Sequence, residues 1–186
     1  QRNATVVRDN DGDDIIIAQI QDITARKGAE AALERQLLID DLTGLANRRR
    51  LMAELQALKE AADENPVGIL FVDVDSFKSV NDRYGHAVGD RLLAAIGARI
   101  RANLRTGDIA CRTGGDEFVA LLRSSRSADS VERLAARVRV LLAGPYLIDG
   151  VPVPASVSVG WSWDKPVSPE KLLHIADERM YSSKRR

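Results

Sequence analysis

Cysteine is nearly missing from this chain. One among 186 residues excludes a disulfide framework and leaves Cys111, inside an apolar stretch, as an expected buried thiol in a reducing cytosol. Long hydrophobic runs are missing too: none approaches the roughly 18 residues of a membrane-crossing helix, so no membrane contact is expected within this segment. Net charge is absent, with 27 Lys and Arg against 27 Asp and Glu and no basic block, which leaves no footprint for nucleic acid. Trp161 and Trp163 alternate along a predicted strand, and without a basic patch beside them they are expected to pack on a sheet face rather than stack on bases. Of the two histidines, His86 suits a helix start and His174 the surface or core edge of the last helix. The length gives room for one domain with a real core plus an appendage. The chain opens on Gln1 and not Met, which suggests an excerpt of a longer protein. A cytoplasmic location is expected, with any membrane anchor outside this segment.

What is present is concentrated in two acidic clusters. In Arg112-Thr113-Gly114-Gly115-Asp116-Glu117-Phe118, two glycines and two carboxylates stand between residues 108–112 and 118–122, which both read as strands. The cluster therefore sits at a hairpin tip. Gly114 and Gly115 accept positive φ and, lacking Cβ, let a ligand lie against the backbone. Strand alternation would point Asp116 and Glu117 to opposite sides, so they need not share a task. An ordinary acidic hairpin turn is the plain alternative. The second cluster closes Gly68-Ile69-Leu70-Phe71-Val72-Asp73-Val74-Asp75, an apolar run of buried-strand type ending in two carboxylates. Residues 76–90 follow, dense in hydrogen-bonding side chains and punctuated by Gly85 and Gly89.

Taken in order, Asp73 to Asp90 and then Arg112 to Phe118 resemble the GGDEF family of diguanylate cyclases, bacterial signalling domains that join two GTP molecules into cyclic di-GMP. The resemblance begins near Asp41-Leu42-Thr43-Gly44-Leu45-Ala46-Asn47-Arg48-Arg49 and runs to Lys184, about four fifths of the chain. Ala46 stands where a proline is common, which bears on a turn and not on the chemistry. The implied fold is α/β (α+β), like the nucleotidyl-cyclase palm, with a central, mostly antiparallel sheet flanked by helices. The order of elements agrees: helix about 45–62, strand 67–74, helices about 76–84 and 90–104, hairpin 108–123, helix 128–143, strands near 146–162, helix 168–183.

The resemblance also implies a site. Mg²⁺, or Mn²⁺ in its place, would be held by Asp73, the carbonyl of Val74 and Asp116, since Mg²⁺ takes oxygen ligands and is usually bound by one or two carboxylates plus substrate phosphates. Asp116 is nominated as proton acceptor as well, although a carboxylate on a divalent cation is a poor base and the metal can do the activation. Glu117 would orient its neighbours or assist a second metal. Asn81 and Asp90, with Phe77 beside them, match the guanine-reading positions; a carboxylate can accept from adjacent N–H groups on the base, and an amide can donate and accept. Gly114 and Gly115 would border the substrate, while Lys78 and Lys184 would meet the triphosphate as point charges. The family usually carries a further basic residue past the point where this sequence stops, so weakened triphosphate affinity is expected. Arg105 and Asp108, in register before Gly114, match the product-inhibition site, with Arg137 as its secondary arginine. A solvated turn is the plainer reading of that pair.

One domain holding one GTP implies a homodimer. The alternative is a silent module that binds GTP or cyclic di-GMP to control a neighbour. Three segments are expected: residues 1–24 resemble the closing strands of a PAS sensor domain, 25–40 form a linker helix with a narrow stripe of Ala29, Leu33 and Leu37, and 41–186 form the cyclase domain.

Overall fold

A computed structural model describes residues 2–8, 14–20, 37–61, 65–123, 125–166 and 168–184. The chain divides into two units between Leu37 and Leu38. In the first, β1 (Arg2–Arg8) pairs antiparallel with β2 (Asp14–Ile20), Arg2 opposite Ile20 and Arg8 opposite Asp14. The linker helix expected over 25–40 lies mostly outside the described residues. Its last residues are not helical: Leu37 and Leu38 form a turn, and Ile39 makes an isolated bridge to Ala46.

The second unit is built on a five-stranded sheet in the order β3-β5-β6-β4-β9, comprising β3 (Ala46–Asn47), β4 (Val67–Val74), β5 (Ile109–Gly114), β6 (Glu117–Leu122) and β9 (Val157–Asp164). Only the β3–β5 pair is parallel. Beside the sheet, β7 (Gly144–Ile148) and β8 (Val151–Ala155) form a separate hairpin.

The near-continuous apolar run of β4 follows from its place, because both faces of the central strands are covered. Leu70, Val72 and Val74, with Phe118, Ala120 and Leu122 of β6, pack against α3 (His86–Ala102) and α4 (Ala128–Leu142). Val67 and Ile69, with Val119 and Leu121, pack against α1 (Arg48–Glu60) and α5 (Pro169–Lys184). Cys111 is fully buried in this second cluster, where burial pushes its thiol up to about 12. Trp161 and Trp163 both pack, half-buried, against the first cluster, as their spacing suggests.

Two glycines set the geometry that matters later. Gly85, at φ 86, ends α2 (Phe77–Tyr84) and begins α3. The helix expected from Asp90 therefore starts at His86, and Asp90 lies inside it rather than capping it. Gly160 on β9 lets α5 approach so closely that a Cβ there would lie 2.0 Å from the Ala176 carbonyl and 2.2 Å from the Met180 nitrogen.

Candidate active site

The β4–β6 register sets Asp73 opposite Glu117 at the end of the two strands. Residues 67, 69 and 71 precede Asp73 on the α1/α5 side, so alternation turns its carboxylate toward the C-terminal end of α5. There the Lys184 ammonium donates to Asp73 Oδ1 at 2.6 Å. Asp73 is only 8% exposed. Burial raises its pKa, Lys184 opposes that, and the charges of Asp116 and Asp75 add to it; burial wins over the ion pair, so the net direction is up. Lys184 is itself raised, chiefly by its hydrogen bond to Asp73. Glu117 is raised by burial and then by Asp73 and Asp177, against a hydrogen bond from Thr113.

Asp116 lies in the turn before β6, so the alternation argument that set it opposite Glu117 does not place its side chain. Its carbonyl accepts the Val74 N–H at 3.2 Å, which ties the turn to the end of β4. The turn needs its glycines: Gly114 has φ 149 and Gly115 φ 53. Asp75, the second carboxylate of the strand end, accepts from Ser158 and Ser156 hydroxyls at 2.7 Å each and so anchors β4 to the start of β9. Sequence reasoning did not find that anchor, because its partners lie some 80 residues further along the chain.

Around α2 and α3, Phe77, Asn81 and Gly89 meet. A Cβ on Gly89 would fall 1.9 Å from Asn81 Oδ1 and 3.1 Å from Phe77 Cζ. That Oδ1 is buried with no hydrogen-bond partner, a costly state of about 1–3 kcal/mol. Lys78 and Asp90 are exposed on their helices.

Arg105, Asp108 and Arg137 line one cavity of about 620 Å³ with Asn103, Arg126 and Arg133. Asp108 closes its own turn, accepting from the Arg105 and Arg123 N–H groups at 3.1 Å each, and Arg137 donates to Asn103 Oδ1 at 3.1 Å. His86 opens α3 on the surface, and His174 is exposed beside Glu178.

Among the described residues no three His, Cys, Asp or Glu side chains converge as a metal cage. The oxygen donors at the strand ends fit Mg²⁺ in its usual manner, with few protein carboxylates and the remaining ligands from water or phosphate. A cation, the Lys184 ammonium, already rests on one of them.

The observed architecture is the expected one: a mostly antiparallel central sheet covered by helices on both faces, with its paired central strands ending in carboxylates. The chain belongs to the GGDEF family: residues 37–186 match the family described as "Diguanylate cyclase, GGDEF domain". It is 37% identical over 152 residues to the response regulator PleD of Caulobacter vibrioides, covering 78% of this chain and 33% of that protein. With the diguanylate cyclase TpbB of Pseudomonas aeruginosa it shares 39% over 160 residues, 83% of this chain and 37% of the relative. The chain thus spans about a third of the length of these relatives. Among solved structures, the coiled coil and GGDEF domain of DgcB from Caulobacter crescentus, in complex with c-di-GMP, superposes with a TM-score of 0.74 at 26% identity, covering 88% of each chain.

Proposed function

We propose that this chain is a diguanylate cyclase module that condenses two GTP into cyclic di-GMP and two pyrophosphates, Mg²⁺-dependent and acting as a homodimer. The observation that carries the reading is the register of β4 on β6, which gathers Asp73, Glu117 and the Asp116 turn at one end of the sheet, with Lys184 against them. In each half-reaction a 3′-oxygen of one GTP bonds to the α-phosphorus of the other, pyrophosphate leaves, and the hydroxyl proton passes to Asp116 or water. Bound at Asp73, the Val74 carbonyl and Asp116, Mg²⁺ would polarise that phosphate and favour the alkoxide.

The other roles follow the chemistry of each side chain. Lys184 and Lys78 supply cations to the triphosphate, Lys184 by leaving Asp73. Asp90 accepts from the guanine N–H groups and the Asn81 amide meets the purine edge, Phe77 borders the base, and Gly114 and Gly115 allow the phosphates to approach. Glu117 orients the neighbouring groups. The cavity at Arg105, Asp108 and Arg137 takes the dianionic product and provides feedback. Residues 1–24 are read as the end of a PAS-like sensor and 25–36 as its output helix, in a cytoplasmic setting.

The test is chromatographic detection of cyclic di-GMP from GTP and Mg²⁺ across a range of protein concentrations. Product rising more steeply than linearly supports the dimeric cyclase, Asp116→Ala abolishes synthesis, and Arg105→Ala removes product inhibition while keeping activity. GTP-induced stabilisation without product would replace this reading with the binding-module alternative.

A further inference from the structure

Arg112 holds two segments with one planar group. Its Nε and Nη2 both donate to the Gly115 carbonyl, at 2.9 and 2.8 Å. Its Nη1 donates to Asp40, 3.1 Å from Oδ2 and 3.3 Å from Oδ1. Asp40 belongs to the segment through which the chain enters the second unit. There Oδ1 also accepts from the Thr43 N–H and hydroxyl at 2.9 and 2.7 Å, and Asn47 closes the loop on the carbonyls of Leu38 and Ile39 at 3.0 and 3.2 Å. Both side chains of the Arg112–Asp40 pair are largely shielded, at 14% and 21% exposure. Water therefore does not cheaply replace the bonds.

The Gly114–Gly115 turn closes the β5–β6 hairpin, where Gly114 pairs with Glu117 and the Thr113 hydroxyl donates to the Glu117 carbonyl. Nothing lies within 4 Å of where a Cβ would stand on either glycine. Outside that hairpin pairing, the Gly115 carbonyl is held by Arg112 and the Asp116 carbonyl by the Val74 N–H. A guanidinium is a rigid fork, so Asp40 and Gly115 cannot shift relative to one another without breaking a bond on one side.

We propose that Arg112 is a positioning residue that couples residues 38–47 to the Gly114–Gly115 turn, so that displacement of Asp40 moves Asp116 relative to Asp73. The proposal rests on the reading of Asp116 as part of the reaction site. It supplies a physical route from the incoming chain to the reacting groups, through three consecutive hydrogen-bonded residues.

The test compares Arg112→Gln, Arg112→Lys, Asp40→Asn and the double variant Asp40→Asn/Arg112→Gln with the parent 186-residue chain. The readouts are melting temperature, Mn²⁺ affinity by electron paramagnetic resonance without nucleotide, and kcat and KM for GTP. Arg112→Gln is expected to lower kcat about tenfold to hundredfold with KM near the parent, the scale of a small misplacement of reacting groups. Mn²⁺ affinity falls with it, at a temperature where every variant is folded. Asp40→Asn acts in the same direction, and the double variant is no worse than Arg112→Gln alone, because both changes cut one chain of contacts. Arg112→Lys does not rescue, since a point charge cannot serve both partners. Loss of melting temperature with unchanged kcat and Mn²⁺ affinity would overturn the coupling, as would independent, additive effects of the two substitutions. Should Arg112→Gln not fold, Asp40→Asn carries the same readouts. If the parent makes no cyclic dinucleotide, the activity reading fails, and Mn²⁺ affinity alone decides the coupling.

Discussion

Replacing Gly89 with alanine separates folding from ligand recognition in a single methyl group. Gly89 is buried in α3, and a glycine in a helix interior costs about 1 kcal/mol relative to alanine, so propensity favours the change. Sterics oppose it, because the new Cβ would stand 1.9 Å from Asn81 Oδ1 and 3.1 Å from Phe77 Cζ. The first neighbour is the end of a side chain and must swing away. That movement carries a buried, unpartnered acceptor toward water and relieves part of its burial cost of about 1–3 kcal/mol. The two gains offset the strain at Phe77. The net stability change of Gly89→Ala is therefore small, within about 1 kcal/mol of the parent.

Binding should behave otherwise. The Asn81 amide is displaced from its place beside the base, and the loss of a matched polar contact of about 1–3 kcal/mol corresponds to roughly fivefold to 150-fold weaker affinity. The assay is calorimetric titration with 3′-deoxy-GTP, which lacks the attacking hydroxyl, alongside thermal melting. Gly89→Ala/Asn81→Ala serves as the control: the methyl then has space, the melting temperature meets or exceeds the parent's, and the affinity stays low. Parent-like affinity in Gly89→Ala would refute the role of Asn81, and destabilisation beyond about 3 kcal/mol would refute the claim that Asn81 can yield.

The other predictions read different contacts. Gly160→Ala meets the backbone of α5 rather than a flexible side-chain tip, so it should destabilise by about 1–3 kcal/mol or more and lower the melting temperature accordingly. Lys184→Met keeps the aliphatic stem but frees Asp73 of its ammonium; Lys184 is 38% exposed, so a gain of up to about 1 kcal/mol, or fivefold, in nucleotide-free Mn²⁺ affinity is expected, with weaker GTP binding. Cys111, buried and with its thiol pushed up to about 12, should resist a thiol reagent at neutral pH and react on unfolding in guanidinium. At Asp40, burial raises the pKa, but bonds from Thr43 and the Arg112 charge bring the net below its ordinary value of 3.8. A depressed folded pKa stabilises above the unfolded value, so the melting-temperature gap between parent and Asp40→Asn should stay constant down to about pH 5 and close as pH falls through the folded pKa.

How much of this was legible in the sequence depends on how far apart the partners stand. Strand β4 was read at 67–74, its observed bounds, because an uninterrupted apolar run between polar flanks admits few other placements. The start of α3 was missed by four residues. The chain uses the positive φ of Gly85 to turn from α2 directly into α3. Strand alternation misjudged Asp116 for a related reason: the two glycines keep it in the turn, outside the periodic segment.

The carboxylates could be seen in the sequence, but their counter-charges could not. Asp73 and Lys184 are 111 residues apart and Asp40 and Arg112 are 72 apart, beyond any local spacing rule. Each contact depends on a tertiary approach that small residues permit. Lys184 reaches Asp73 because α5 lies on β9, and it lies that close because Gly160 presents no Cβ to the Ala176 and Met180 backbone. Arg112 reaches Gly115 O because the hairpin tip carries no side chains to fill the space. Gly160 is therefore part of the site's electrostatics without touching it: moving α5 outward removes the cation from a buried carboxylate and leaves that charge to be met by another cation or by a proton.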